Sequence, residues 1–506
     1  MVAALVDRGN FPLVNFEASD GQTHDWFPPV VAVSGDKRLY GWDAIAAQED
    51  ENFTVLRSLK RYLRSATPHT EVRLGGRSLP LRILLAEMMS ALKTQLLEHS
   101  NIAGLDAGSD PKHLEVMLGV PASANSNQRF LTEEAAEAAG FTVLGLLNEP
   151  AAAAVEFTHR YNAERKTRVG TGLVVYDLGG GTFDVSLVTL GETDHAVEAS
   201  DGIAALGGDD FDEILAALVL ESISGSGSDP ALTSSERYRL LEECREKKES
   251  LHANTRKITV DLDRVREGWQ QVTIPVEDFY ERCRPLIEQT RAVVENLLAS
   301  QSERAIDTLY VTGGAAELPP VARILRETFG RKVRRSAYMR SASAIGLAIR
   351  AAASAESASE QIHERFNRNF GLWREADHGG TIFFDLIFPS DAHLPMPDQP
   401  PLLAERVYQP AHNIGHFRYL ESSRLDSQAQ PTGEIAYWDQ IQFAFEPGLQ
   451  QIPDVSQIPV SPLGNPGSIT IRERYTCDST GKVRVGISAS PSGYTREFTI
   501  AQSASR

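Results

Sequence analysis

Through roughly the first two thirds of the chain, short apolar runs of strand length alternate with amphipathic stretches of helical period. Leu81–Glu98 carries apolar residues at helical spacing, and Leu114–Val120 is a buried-strand pattern ended by Pro121. Residues 125–139 predict a second helix closed by Gly140, and 141–147 a short strand. Helices are also expected over 233–253, over 274–300 after Pro275, and around 344–352, with a buried strand at 308–312. Near the start, residues 2–6 and 11–16 predict two strands around the turn Asp7-Arg8-Gly9-Asn10, followed by a strand pair at 30–33 and 38–40. From Phe370 the texture changes to strands and prolines. Residues 472–476 and 482–490 flank the turn Asp478-Ser479-Thr480-Gly481, and 494–500 follow Gly493. Val483, Val485, Ile487 and Ala489 alternate, so one face of that strand is apolar.

The stretch that organises the rest is 173–188, LVVYDLGGGTFDVSLV. Two apolar runs enclose Asp177, Gly179, Gly180, Gly181, Thr182 and Asp184. Three consecutive glycines weaken a sheet unless the backbone must bend sharply or approach another group closely. Successive exposed N–H groups in such a turn form an anion site. The Thr182 hydroxyl and the Asp177 and Asp184 carboxylates suit a hydrated divalent cation beside a phosphate. An ordinary glycine-rich hairpin is the simpler alternative, and the flanking acids make it the weaker one. A second glycine-rich turn, Gly207-Gly208, opens another helix; on its own that signal is weak.

The length of 506 residues calls for several domains, and 42% apolar residues suffice for real cores. A net charge of −18 argues against nucleic acid or an anionic membrane as the main partner. Cys244, Cys283 and Cys477 are few and widely spaced, which suits a reducing cytoplasm and forms no ligand cluster. Asp7 and Arg8 come too early for a secretory leader, and no apolar run approaches the ~20 residues of a membrane span.

The glycine triplet resembles the second phosphate loop of the actin-like ATPases, most of all that of the DnaK-type heat-shock chaperones, the seventy-kilodalton family. The string Asn148-Glu149-Pro150-Ala151-Ala152-Ala153-Ala154 is similar to the segment joining the two halves of that ATPase. The resemblance is strong over 141–212, moderate elsewhere in 1–352, and weak from 370. It implies an α/β fold: an actin-like two-lobed ATPase domain at 1–352, a linker at 353–369 and a β-rich, basket-like substrate domain at 370–506, without the helical lid. It implies ATP or ADP with Mg2+ as cofactors. Lys60, Glu149, Asp177 and Thr182 would be catalytic. Gly179–Thr182, Gly207, Gly208, Lys248, Gly313 and Gly314 would hold the nucleotide, and Asp177, Glu149 and Asp184 the metal, mostly through water. From the residues alone, Lys60 reads more readily as a solvated stem, and Glu149 as an acid favoured by a helix N-terminus. Lys247 and Lys248 fall on the apolar side of their helix, which suggests either a face turned to a polar cleft or stems snorkelling from a core face.

Several departures qualify the match. Arg245 stands where the family has an acid gripping the ribose, His252 where it has a small hydroxyl residue, and Glu317 where it has an arginine near adenine. The expected linker, 363–370, is basic and lacks the family's leucines. No Gly-Thr-Thr-type first phosphate loop precedes Val2, so the true start is expected upstream, or else the nucleotide site is degenerate. As written, very slow hydrolysis and weak nucleotide binding are expected, and a working ATPase with upstream residues restored. The implied function is that of an ATP-dependent, cytoplasmic, stress-related chaperone, expected as a monomer, whose partners are unfolded polypeptide clients and co-chaperones. Two other classes compete. A small-molecule kinase of the same superfamily would not need the β-rich tail. A non-hydrolysing nucleotide- or peptide-binding protein is favoured by Arg245, Glu317 and the missing loop.

Overall fold

The computed structural model describes residues 1–500 except 58, 64–65, 68, 105–113, 122–123, 164–171, 191–193, 204, 225–229, 300–305, 356–360, 364–365, 367, 377–379, 391, 396–398 and 465. Part of the linker expected at 353–369 therefore lies outside the described residues. The chain divides into two compact units. The first contains Met1–Arg64, Glu71–Ser123 and Thr132–Ile362. The second contains His363–Arg506 with the short segments Ser65–Thr70 and Ala124–Leu131.

The first unit is built on a six-stranded sheet in the order Val333–Arg335, Ile306–Thr312, Gly172–Leu178, Phe183–Leu190, Asp194–Ile203, Gln361–His363. The first three strands run parallel, and the glycine-triplet hairpin supplies the antiparallel pair. The run Leu173–Tyr176 is apolar throughout because helices cover both faces of the sheet. Val174, Tyr176 and Leu178 enter one cluster with Phe211, Leu215, Cys244, Phe279 and Cys283. Leu173 and Val175 enter another with Ala151–Ala154, Ile345 and Ile349. The alanine string begins the helix Glu149–Ala163, which packs against Ala342–Ala355. That approach is close: a Cβ on Gly346 would stand 1.8 Å from the Ala152 carbonyl oxygen. Small residues thus set the separation of the two helices. Leu114–Val120 and Phe141–Asn148 pair in parallel, bringing Val120 opposite Asn148, next to Glu149.

Two expectations change. The N-terminal hairpin turns where expected, with Leu5 N–H donating to Pro12 O at 2.9 Å, but it is pinned only by bridges at Ala4–Leu13 and Asp7–Asn10. Pro12 has no N–H to continue a ladder. The helix expected over 233–253 spans Ser234–Glu249, opened by a Thr233–Glu236 capping box. Ser250 ends it, its hydroxyl bonding the Lys247 carbonyl, so Leu251 and His252 lie beyond the helix.

The second unit contains two four-stranded antiparallel sheets. One orders Thr381–Phe388, Asn369–Ala376, Ile414–Leu425 and Pro431–Ala444; the other Leu402–Tyr408, Thr470–Cys477, Val483–Ser490 and Tyr494–Thr499. Val483, Val485, Ile487 and Ala489 are buried, as their alternation requires. Between the sheets the Arg374 guanidinium bonds both Glu473 and Asp385, and Arg406 also bonds Asp385. Burial works against the Arg374 charge, yet these acids outweigh it and raise its pKa.

Candidate functional site

The hairpin fixes the first loop. Gly172–Leu178 and Phe183–Leu190 pair down to Leu178 opposite Phe183, leaving Gly179–Thr182 as the turn, closed by Gly179 N–H to Thr182 O at 2.9 Å. Asp177 and Asp184 are cross-strand partners just below it. Asp177 is also the register partner of Thr312 on the parallel neighbour, so that strand ends at the same edge. Carboxyl ends of parallel strands are where ligands of open α/β sheets are held.

Two further glycine turns converge on the first. At Gly207 an added Cβ would lie 2.6 Å from the Gly180 carbonyl carbon and oxygen and the Gly181 nitrogen. The Gly208 and Asp209 amides donate to the Gly179 and Gly180 carbonyls at 3.0 and 2.7 Å, which ties the start of the helix Gly208–Ser224 to the loop. Gly313 has φ 90°, and a Cβ there would lie 2.5 Å from Asp177 Oδ1 and 2.2 Å from the Leu178 carbonyl oxygen. Only glycine fits at either close approach. At Gly180, by contrast, an added Cβ meets nothing within 4 Å, so the turn borders open space there. Gly314 follows, its α-carbon facing the Arg340 side chain.

Charge collects around these turns. Lys60 Nζ donates to both Glu149 oxygens, at 2.8 and 3.0 Å, and the Lys60 side chain remains 40% accessible. Burial works against the Lys60 charge, but Glu149, Asp184 and Asp177 together raise its pKa. Burial, then the charges of Glu149 and Asp184, push the Asp177 carboxyl up to about 7, against the pull of Lys60 and of the Thr312 hydroxyl that bonds it. Such a cluster of mutually repelling acids is relieved by a cation. Among the described residues, no three His, Cys, Asp or Glu groups come together as direct metal ligands.

Lys248 reaches into the same region. Its Nζ bonds the Gly208 carbonyl at 2.8 Å and pairs with Asp212 at 2.7 Å. It is buried, whereas Lys247 pairs with Glu243 at 3.0 Å and is one third exposed, so the two lysines separate. Asp212 was missed in the sequence. Its signal was available: Phe211, Asp212, Leu215, Ala216 and Val219 form one buried stripe, and an acid on such a stripe needs a partner. Burial, above all, lifts the Asp212 carboxyl to about 6, with Lys248 and Arg57 opposing.

Beside the third glycine turn, six charged side chains form an alternating ladder. Arg57 pairs with Glu242 at 2.8 Å, and Arg245 with Glu242 at 2.7 Å and Glu249 at 3.8 Å. Arg340 pairs with Glu249 and with Glu317, each at 2.9 Å. The Arg245 guanidinium also lies over the Trp26 ring, 5.3 Å from its centre. Thus Arg245 and Glu317, the two charged departures, are both engaged in ion pairs. Arg57, Glu242, Glu249 and Arg340 carried no sequence signal for this role. His252 donates its backbone N–H to Thr255.

A sheet flanked by helices on both faces, three glycine turns at its carboxyl edge and a β-rich second unit define the class: actin-like ATPase lobes followed by a β-rich domain. The family model for Hsp70 protein matches residues 24–362, and the chain belongs to the Hsp70 family. It is similar to the chaperone protein HscA homolog of Methylibium petroleiphilum, 31% identical over 343 residues, covering 65% of this chain and 53% of that one. It is also similar to chaperone protein DnaK of Deinococcus deserti, 29% identical over 369 residues, 68% of this chain and 57% of the relative. With the heat shock 70 kDa protein of Penicillium citrinum it shares 30% identity over 252 residues, 49% of each. The chain spans about half the length of the curated relatives it matches. No helix among the described residues is long and apolar enough to cross a membrane.

Proposed function

We propose that the chain is an ATP-dependent chaperone of the DnaK type, in which binding and hydrolysis of ATP in the first unit regulate the hold of the second on unfolded polypeptide segments. The observation that carries this reading is the convergence of the turns at Gly179–Thr182, Gly207-Gly208 and Gly313-Gly314 on one edge, beside Lys60, Glu149, Asp177 and Asp184. In this reading the ridge at Gly179–Gly181 and the turn at Gly207-Gly208 cradle phosphates, and Thr182 adds its hydroxyl. Asp177, Glu149 and Asp184 fit a hydrated magnesium ion, since burial and then the neighbouring acids lift Asp177, and a cation would relieve that repulsion. The ion, when bound, supplies neutralisation of phosphate charge. Glu149 orients the attacking water, and Lys60 stabilises the charge that develops on the transferring phosphoryl group. Lys248 braces the Gly208 turn through that residue's carbonyl. Gly313 and Gly314 let the backbone approach the nucleoside side.

The proposed division is an ATPase domain at 1–352, a linker at 353–369 and a substrate domain at 370–506. Support for peptide binding comes from the sheet edges. Ile382 and Phe383 are exposed on the edge strand Thr381–Phe388, and Leu403 and Val407 on the edge strand Leu402–Tyr408. Such edges suit an extended apolar segment that pairs by its main chain. Co-chaperones, a cytoplasmic location, a monomeric state and a role in stress belong to the same proposal. A non-hydrolysing nucleotide- or peptide-binding protein is the second reading, favoured by the ion pairs that engage Arg245 and Glu317.

The test is single-turnover hydrolysis of ATP with magnesium, with and without an extended apolar peptide, on the full chain and on Lys60→Met. The expected result is peptide-stimulated turnover, slowed in the variant by ~100-fold or more, the scale of losing one electrostatic stabiliser. Binding of nucleotide without hydrolysis, or of peptide alone, would select the second reading, and absence of both nucleotide and peptide binding would overturn both.

A further inference from the structure

The ladder beside the glycine turns has a consequence for what the cleft recognises. A pocket that selects one base offers it groups left unsatisfied when that base is missing, and can reject wrong ligands by ~10,000-fold. Here the charged groups next to Gly314 are already matched. Arg57, Arg245 and Arg340 alternate with Glu242, Glu249 and Glu317, each cation paired with at least one of these acids. Glu317 takes two bonds from Arg340, Nε at 3.1 Å and an amino nitrogen at 2.9 Å. One face of the Arg245 plane is taken by Trp26. A base entering among these side chains would have to break pairs to gain hydrogen bonds. The ridge at Gly180, in contrast, borders open space, with acids suited to a cation nearby.

We infer that the cleft recognises the polyphosphate–magnesium end of its ligand and is indifferent to the base, so that its ligand class is a magnesium-bound triphosphate, with or without a nucleoside. This rests on reading the glycine turns as a phosphate site. Affinity then comes from backbone amides and the cation, while the ladder acts as a self-satisfied wall that offers the nucleoside little.

The experiment is calorimetric titration of the full chain, with excess magnesium, using ATP, GTP, CTP and inorganic tripolyphosphate in turn. The expected result is dissociation constants for all of them within ~10-fold, far short of the discrimination of a base-reading pocket. ATP tighter by more than ~10-fold than GTP, CTP or tripolyphosphate would overturn the inference and leave the phosphate site standing. No heat with any of them would overturn the phosphate site and the inference with it.

Discussion

Replacing Gly207 by alanine tests the joint between the first two glycine turns directly. The new Cβ would sit 2.6 Å from three backbone atoms of Gly180 and Gly181, and backbone cannot rotate away as a side chain tip can. Ordinary contact begins near 3.4 Å, so the turns must part by most of an ångström. Two hydrogen bonds span the joint, Gly208 N–H to Gly179 O and Asp209 N–H to Gly180 O. Each contributes about 1 kcal/mol net, and overpacking of this kind costs about 1–3 kcal/mol. A local loss of about 2 kcal/mol is therefore expected, or roughly 30-fold faster hydrogen exchange at the Gly208 and Asp209 amides. Gly180→Ala is the control, because its Cβ meets nothing within 4 Å. That variant should exchange at the parent rate while losing phosphate affinity, since the methyl group enters the ridge where an anion would lie. Hydrogen exchange followed by mass spectrometry on peptides covering 205–212 reads the first effect, and calorimetry with magnesium tripolyphosphate the second. Parent-like exchange in Gly207→Ala would refute the reasoning, because the close approach would then carry no constraint.

Three further outcomes are expected. Lys248→Met leaves the Asp212 carboxylate, 1% exposed, with Arg57 at 3.8 Å as its remaining partner among the described residues, and should cost about 3 kcal/mol where Asp212 is ionised. Because burial raises the folded pKa of Asp212 above its unfolded value, its ionisation opposes folding as pH rises; the deficit should be full near pH 8 and shrink toward pH 5 in denaturant titrations, and a deficit that grew toward acid would contradict the assignment. Magnesium triphosphate binding should release a proton from Asp177, whose carboxyl is raised to about 7, so affinity should climb by up to ~10-fold per unit from pH 6 to 7 and level off above. Equal heats in buffers of different ionisation enthalpy at pH 6.5 would count against that proton. In the second unit, Arg374→Met strands the fully buried Glu473 and should cost about 3–5 kcal/mol, partly restored by adding Glu473→Met; tryptophan fluorescence during unfolding reads both, and a single variant as stable as the parent would dismiss the buried ion pair as a stabiliser.

Much of this molecule was legible locally. The run around Asp177 and the three glycines specified a hairpin between buried strands, because apolar residues on both faces demand cover on both sides. The string after Glu149 specified a closely packed helix, because alanine leaves room for a neighbour, and the alternation at 483–489 specified which side of its strand is buried. These signals repeat every two or 3.6 residues, so a short window holds them whole. What the window could not hold was decided by the tertiary structure. Lys60 meets Glu149, Lys248 meets Asp212, and Arg340 joins Glu249 to Glu317 only once strand ends and helix starts from distant parts of the chain share one edge. The sequence alone determined that glycine-rich turns follow the buried strands. Whether the charges around them face a ligand or one another depends on distances of a few ångströms between separate elements, which no local period encodes.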